Sequence, residues 1–342
     1  MRVAVLMGGI SPERNISLLS GRSVAAALRE RGHTVLAIDP AYGAEGLLPD
    51  AELNGISTAP PSEEFLCSLS PWALVQCIGS SLFDDVEVVF PVLHGPYGED
   101  GRIQTLLELR GLPYVGSAAL ASALATDKHM AKLAFVAAGI PTPRWVALGR
   151  EHLSDWALLE DTRAELGAHL VVKPNDQGST IGMSFLHHPT VEELAAAVET
   201  AARYSEVVIV ERYIAGRELT VGILGTEPLP IVEILPEGGL YDYEHKYTPG
   251  KTQYLCPAQL PKDIEEFTQT LALSAHQILG CRHFSRVDFR LDEDGQPYCL
   301  EVNTIPGMTP MSLFPRAAQA AGIPFPELCE RLLLLALGTS RS

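Results

Sequence analysis

Apolar residues run almost unbroken over positions 2–7 before Gly8-Gly9, and a short apolar run stopped by glycine predicts a buried strand. Ser11 then predicts a helix cap and Pro12 the first helical position, with apolar residues recurring at helical spacing through Leu28. Positions 35–38 and 86–93 predict two further strands, the latter closing on His94-Gly95-Pro96, and a Pro/Gly/Ser-rich stretch lies between them over 40–61. Strand, helix, strand with buried strands is the rhythm of a parallel α/β sheet. No G-x-G-x-x-G follows the first strand, so no dinucleotide site is expected there.

From Gly116 the pattern changes. An Ala-rich helix pair is predicted over 118–138 and stopped by Gly139-Ile140-Pro141, with strands at 144–148 and 169–173. A glycine loop, a helix at 190–203 and a strand at 207–213 follow. Beyond these come strands at 218–224 and 229–235, a Tyr/Gly/Thr/Lys loop at 238–254, a helix at 262–279, a hairpin over 284–303 and a terminal helix at 325–337. The pattern divides the chain into three domains, at 1–116, 117–213 and 214–342. The fold class expected is α/β, with α+β parts.

Composition narrows the function. The 25 basic against 42 acidic residues leave a net charge of −17, while 46% of residues are hydrophobic and 20% charged. Those values suit a chain with a buried core and exclude disorder, collagen and coiled coil. The acidic balance argues against nucleic acid, which needs a basic field, but allows a phosphate-bearing small molecule where a few cations converge. The densest apolar run, 332–337, is far short of the ~20 residues of a membrane span. The N-terminal strand reaches its turn too early for a secretory signal. Cys67, Cys77, Cys256, Cys281, Cys299 and Cys329 form no CxxC pair and have no histidines at metal-ligand spacing. Reduced thiols in a cytosol are expected, rather than disulfides or a zinc site.

The segment richest in chemistry is 285–303. Asp294-Gly295 is a turn signal between two strand-like runs. Centring the turn there makes Val287 face Val302, Phe289 face Leu300 and Leu291 face Tyr298 on an apolar side. The other side then pairs Asp288 with Glu301 and Arg286 with Asn303. Facing carboxylates repel, and two readings follow. Either they and Asn303 hold Mg²⁺ through oxygen ligands, or the face is solvated and its charges pair with Arg286 and Arg290.

Other positions suit an anion. Lys173 ends a strand ahead of a loop in which Gly178 and Gly182 allow close backbone approach and Ser179 and Thr180 add hydroxyls. Lys128 falls in the first turn of a helix that Thr126 can cap, where a cation opposes the helix dipole unless an anion sits between. Glu13 follows Gly8-Gly9 in a first helical turn, where acidic residues are favoured in any case. His94 closes a strand, the position where open α/β sheets bind ligands.

Taken in order, these segments resemble the D-alanine–D-alanine ligase family of ATP-grasp enzymes over nearly the whole chain. The resemblance is carried by Gly8-Gly9 through Ser17, His94 through Gly101, Asp127-Lys128, Lys173 through Met183, Tyr241 through Tyr247, Arg286-Val-Asp288 and Glu301 through Ser312. It implies a three-domain ATP-grasp architecture with an N-terminal Rossmann-like sheet. It also implies ATP between the second and third domains, with Lys128 and Lys173 on the phosphates and the 178–182 loop above them. Glu211 and the backbone from Arg212 to Ile214 would meet adenine, and Glu218 the ribose. Asp288, Glu301 and Asn303 would hold Mg²⁺ (two ions, with Mn²⁺ able to replace them). Glu13 would take the ammonium of a first D-alanine beside His94, and Ser179 and Tyr247 would link Glu13 to a mobile loop. Lys246 and Ser312 would bind the second D-alanine's carboxylate, while Arg286 and the Gly307 amide stabilise an oxyanion. A cytoplasmic homodimer serving peptidoglycan synthesis is the implied setting. The alternatives are a ligase for other amino acids, a non-catalytic nucleotide sensor and, disfavoured by the missing glycine fingerprint, a dehydrogenase.

Overall fold

The computed structural model describes residues 1–53, 55–153, 155–236 and 252–339. Lys246, Tyr247 and most of the 238–254 loop lie outside the described residues.

Strand β1 (Arg2–Leu6) leads into Gly8 and Gly9, both left-handed (φ 80° and 82°), and then into helix α1 (Arg14–Glu30). The helix begins later than Ser11 and Pro12 predict. Glu13 occupies the cap position, and Ser11 instead donates its hydroxyl to the His94 carbonyl (2.6 Å) and accepts the Glu13 N–H (3.2 Å). The chain must first cross the end of the sheet, so Ser11 ties two strand ends together rather than starting a helix. A Cβ on Gly21 would lie 2.4 Å from the Met7 side chain, so glycine lets α1 settle closely on the sheet.

Strands β2 (Thr34–Ile38) and β3 (Val88–Pro91) flank β1 in parallel, in the order β2–β1–β3. Between them the Pro/Gly/Ser-rich stretch gives way to helices α2 (Glu63–Ser68) and α3 (Pro71–Gly79), which the hydrophobic pattern does not predict. Their starts are nonetheless marked: the Ser62 hydroxyl accepts from Phe65 N–H, and the Ser70 hydroxyl from Trp72 N–H. Helix α4 (Arg102–Arg110) is likewise unpredicted.

The helix pair appears as α5 (Ala119–Thr126) and α6 (Lys128–Ala137). The cap of α6 is Asp127, which accepts from Met130 N–H (2.9 Å); Thr126 donates to the Glu99 carbonyl instead (3.0 Å). Next come β4 (Trp145–Gly149), α7 (Trp156–Leu166), β5 (His169–Pro174), β6 (Ser184–His187), α8 (Val191–Ala201) and β7 (Val207–Arg212). Their strands form an antiparallel sheet in the order β4–β7–β5–β6. Its covered face buries Leu148, Leu170, Val172, Val208 and Val210 against Leu159, Leu194 and Val198 of the two helices.

The last sheet joins β8 (Arg217–Leu224), β9 (Glu227–Pro228), β10 (Val232–Pro236), β11 (Thr252–Leu255), β12 (Phe284–Leu291) and β13 (Pro297–Asn303). Its order is β11–β10–β8–β12–β13, with β9 beside β8, and α9 (Lys262–Ile278) covers it. The β12–β13 register agrees with the turn arithmetic for Arg286–Asn303, Val287–Val302 and Asp288–Glu301. It then slips by one residue: Phe289 faces Cys299 and Leu291 faces Pro297. The extra residue is Leu300. The bulge sends Cys299 into the core and leaves Leu300 lining a cleft.

Helices α10 (Leu313–Ala320) and α11 (Phe325–Thr339) close the chain. They return to the first sheet, where Leu328, Leu332 and Leu333 share one core with Val3, Val24 and Leu28, and Arg31 pairs with Glu330. That packing fixes the loop 304–312 against α1, and Met308 N–H donates to the Ser20 hydroxyl (3.4 Å).

Candidate active site

Two clefts meet in the molecule. The first, about 1040 Å³ with its open mouth included, lies between the central antiparallel sheet and the last sheet, and its lining includes Lys128, Lys173, Glu211, Ile214, Glu218, Leu300 and Glu301. The second, about 1350 Å³, reaches Glu13, His94, Gly307 and Ser312. Gly178, Ser179, Arg286, Glu301 and Leu313 line both.

In the first cleft the cations are built into the frame. Buried Lys173, at the end of β5, places its ammonium 2.5 Å from Glu211 on the adjacent β7, and Lys132, wholly buried on α6, reaches the other carboxylate oxygen at 2.9 Å. Burial alone would raise the Glu211 carboxyl, but Lys132 and Lys173 together hold it below the usual carboxylate range. Lys132 also donates to Thr142 (2.8 Å) and the Pro143 carbonyl (3.2 Å). Lys128, one helical turn earlier on the same helix, donates to the Gln177 carbonyl (2.7 Å) and lies 3.4 Å from Glu301. At the far end Arg290 binds Glu218 (3.3 Å) and the carbonyls of Ile214 (3.0 Å) and Gly216 (2.8 Å). The Arg212 N–H is taken by the Arg144 carbonyl (2.9 Å) and its side chain is exposed.

On the hairpin face Asp288 and Glu301 stand opposite one another, as the register arithmetic requires. Both readings of this face find support in the geometry. Arg286 grips Asp288 with two hydrogen bonds (2.9 and 2.8 Å), Thr220 donates to the same carboxylate (2.5 Å), and Lys128 faces Glu301. The cation on the carboxylate is therefore Arg286 rather than Arg290. Two carboxylates and the Asn303 amide oxygen, which accepts only Ile305 N–H (3.1 Å) among the described contacts, form a hard-oxygen set that fits Mg²⁺.

The second cleft is held differently. Buried Glu13 accepts a hydrogen bond from the Ser179 hydroxyl, which bridges the start of α1 to the 178–182 loop. Ser179 and Thr180 both adopt left-handed backbone (φ 52° and 61°), a strained turn for non-glycine residues. A Cβ on Gly178 would lie 3.8 Å from Glu13, so the loop backbone does come close. His94 Nδ1 lies 3.4 Å from Glu99, whose other oxygen accepts Gly95 N–H (2.9 Å). Burial would lower the His94 pKa, but Glu99 and Glu13 outweigh it and raise the value. Its Nε2 is buried and has no hydrogen-bond partner among the described residues. Across the cleft the Ser312 hydroxyl meets Thr309 (2.8 Å) and lies where a Cβ on Gly307 would approach it to 3.0 Å.

Glu13, His94, Lys128, Lys173, Gly178, Ser179, Glu211, Ile214, Glu218, Arg286, Asp288, Glu301, Asn303, Gly307 and Ser312 thus gather at two adjoining clefts. Lys132, Thr220 and Arg290's anchoring role are not evident from the sequence. The i, i+4 spacing of Lys132 to Lys128, which places both on one helix face, is the signal that could reveal it. Among the described residues one group of histidines lies at metal-ligand distance, His169, His187 and His188; it includes none of the cysteines and is not visible as a spacing along the sequence. No described helix is long and apolar enough to cross a membrane.

The chain is similar to known proteins in sequence and in overall fold. The family described as D-ala D-ala ligase N-terminus matches residues 2–117, and that described as D-ala D-ala ligase C-terminus matches residues 134–334. A D-alanine–D-alanine ligase from Desulforamulus reducens is 43% identical, over 98% of this chain and 99% of its own. One from Nitrosospira multiformis is 44% identical over 98% and 96%. Among solved structures, D-alanine–D-alanine ligase from Bacillus anthracis superposes with a TM-score of 0.77 at 31% identity, covering 100% of this chain and 99% of that one. The same enzyme complexed with ATP gives 0.76 at 30% identity, with the same coverage. A two-part family match across the chain and relatives above 40% identity over nearly all of it lead to one conclusion: this chain belongs to the D-alanine–D-alanine ligase family.

Proposed function

We propose that the chain joins two D-alanine molecules into D-alanyl-D-alanine, with ATP as phosphoryl donor and ADP and phosphate as products, for peptidoglycan synthesis. The observation that carries this reading is the meeting of the two clefts at Ser179, Arg286 and Glu301. A phosphoryl donor in one and a carboxylate in the other would come together there. Family membership supplies the identity of the substrates.

A carboxylate is a poor electrophile, so the γ-phosphoryl group of ATP passes to the first D-alanine and makes an acyl phosphate. That step asks for positioning and charge neutralisation rather than a protein nucleophile. Lys128 and Lys173 hold the phosphates, and the 178–182 loop covers them. Glu211 and the backbone from Arg212 to Ile214 face adenine, and Glu218 the ribose. Asp288, Glu301 and Asn303 would hold Mg²⁺ (two ions, or Mn²⁺), which when bound supplies further neutralisation of the phosphate charge. Glu13 takes the ammonium of the first D-alanine, and His94, whose buried Nε2 has no hydrogen-bond partner among the described residues, lies beside it.

The amine of the second D-alanine then attacks the acyl carbon and phosphate leaves. Arg286 and the Gly307 amide supply donors for the tetrahedral oxyanion, and Ser312 with Lys246 binds the incoming carboxylate. Tyr247 tethers its own loop to Ser179 and Glu13, and the closed site excludes water that would hydrolyse the intermediate. The three domains 1–116, 117–213 and 214–342 bring the first D-alanine, ATP and the oxyanion site respectively. A homodimer in the cytoplasm completes the proposal.

The test is phosphate release from ATP with each D- and L-amino acid supplied singly. D-Alanine alone should support turnover; an L-amino acid or a different D-amino acid as the preferred single substrate would refute the assignment. Glu301→Gln should abolish turnover while the protein stays folded, because it removes a metal-binding oxygen charge and its repulsion with Asp288, while the facing Lys128 keeps its hydrogen bond to the Gln177 carbonyl. Near wild-type activity at low Mg²⁺ would remove Glu301 from the metal site.

A further inference from the structure

The hairpin of β5 and β6 carries the 178–182 loop at one end and a group of histidines at the other. His169 opens β5 and faces His187, which closes β6, in the antiparallel register. His188 follows at φ 47°, a left-handed conformation in which histidine is among the better tolerated residues. The turn is fixed by the His188 N–H donating to the Ala168 carbonyl (2.6 Å). Strand pairing and this one bend place three imidazoles together that the sequence keeps apart.

The rings sit edge to face, with centroids 4.4 Å (His169–His187), 5.3 Å (His169–His188) and 4.7 Å (His187–His188) apart. One ring nitrogen from each lies within 4.8 Å of the others, and all three side chains are exposed. A zinc–imidazole bond of about 2.0–2.1 Å needs ligand nitrogens roughly 3.3–3.4 Å apart in a tetrahedral site. Side-chain rotation of solvent-exposed rings closes that difference without moving the strands. Among the described contacts, no carboxylate or carbonyl engages the three rings.

We propose that His169, His187 and His188 bind a divalent transition-metal ion of the imidazole-preferring class (Zn²⁺, Ni²⁺ or Cu²⁺), with water at the remaining position. Neutral imidazole suits these ions, whereas Mg²⁺ prefers carboxylate and water oxygens. Three imidazolium groups this close would repel; a metal ion removes that cost by replacing the protons. The bound ion cross-links the two strands at the hairpin's open end, away from both clefts.

The test uses the full chain without nucleotide, in excess Mg²⁺ so that the acidic hairpin face is saturated. Zn²⁺ titrated by calorimetry should fill one site per chain and raise the melting temperature, since a ligand of the native state alone stabilises it. Even outer-shell changes cost about 10–100-fold in metal affinity, so His187→Gln should weaken Zn²⁺ binding at least that much and abolish the thermal shift. His188→Asn, which keeps the left-handed turn, should do the same, while Glu301→Gln should leave Zn²⁺ binding unchanged. Absence of Zn²⁺ binding, equal binding by His187→Gln and His188→Asn, or loss of binding in Glu301→Gln would each overturn the site.

Discussion

The two adjoining clefts hold their charges in opposite ways. In the first cleft the frame completes itself: Lys132 and Lys173 share Glu211, and Arg286 clasps Asp288. In the second cleft one buried nitrogen, His94 Nε2, finds no partner among the described residues, and Glu13 is joined by a hydroxyl on the distant 178–182 loop. The first arrangement contributes to the fold whether or not ligand is present. The second needs ligand and loop to complete it. Substitutions in the first cleft's buried ion pairs should therefore act mainly on stability, and in the second cleft mainly on substrate use.

The largest effect should come from Lys132→Met. Removing one partner from a buried ion pair costs about 3–5 kcal/mol, and the surviving Lys173–Glu211 contact (2.5 Å) places this variant at the lower end. Chemical denaturation should show that loss, together with weaker ATP binding. A variant as stable as the parent would show that the cleft's charges are not structural, and the contrast would fail.

Ser179→Ala should do the reverse. A hydrogen bond to a charged group contributes about 1.5–3 kcal/mol, here between the loop hydroxyl and Glu13. The melting temperature should hold while kcat/KM for D-alanine falls by roughly 10–100-fold, the kinetic equivalent of that energy. An equal loss of stability would mean that the loop is part of the frame.

The smallest effect separates buried histidines by sign. His94 is raised in the fold, so its contribution is complete below about pH 6.5 and is lost as pH rises through the raised value. His276, buried beside Ser285 (2.7 Å), and His283, which accepts Gly116 N–H (3.1 Å), are both lowered to about 4, chiefly by burial. Their contribution is present above about pH 6.5 and is lost as pH falls toward 4. His94→Gln should therefore destabilise more at about pH 6 than at about pH 9, a difference read from denaturation midpoints in the two buffers. His276→Gln should cost less as the medium is acidified. Parallel trends in the two variants would remove the distinction.

What the sequence discloses follows the same division. Asp288, Glu301, Arg286 and Asn303 are legible in the alternation of the two strands, but their facing pairs agree with the turn arithmetic because the bulge offsets by one residue the register that the turn itself sets, where Leu291 faces Pro297. The slip at Leu300 is not, because a bulge is a backbone event that no residue pattern announces. Lys132 on a helix reads as a solvated lysine until Glu211 arrives from a distant strand. The histidine group is hidden for the same reason, since only strand pairing brings His169 to His187. Ser11 and Thr126 read as caps from sequence: each is a good capping residue, but here each donates its hydroxyl to a carbonyl on another segment. Substrate identity comes from family resemblance, since no spacing distinguishes D-alanine from another amino acid.

In the proposed reaction, transfer of the γ-phosphoryl group from one cleft to a carboxylate held in the other is the defining step. It is tested most directly with D-alanine labelled with ¹⁸O in its carboxylate, followed by mass analysis of the phosphate released. Acyl phosphate formation makes an oxygen bridge between carboxyl carbon and phosphorus, and attack by the second amine breaks the carbon–oxygen bond. One ¹⁸O should therefore appear in each phosphate formed, with none in ADP. Unlabelled phosphate, or label in a nucleotide product, would contradict the account.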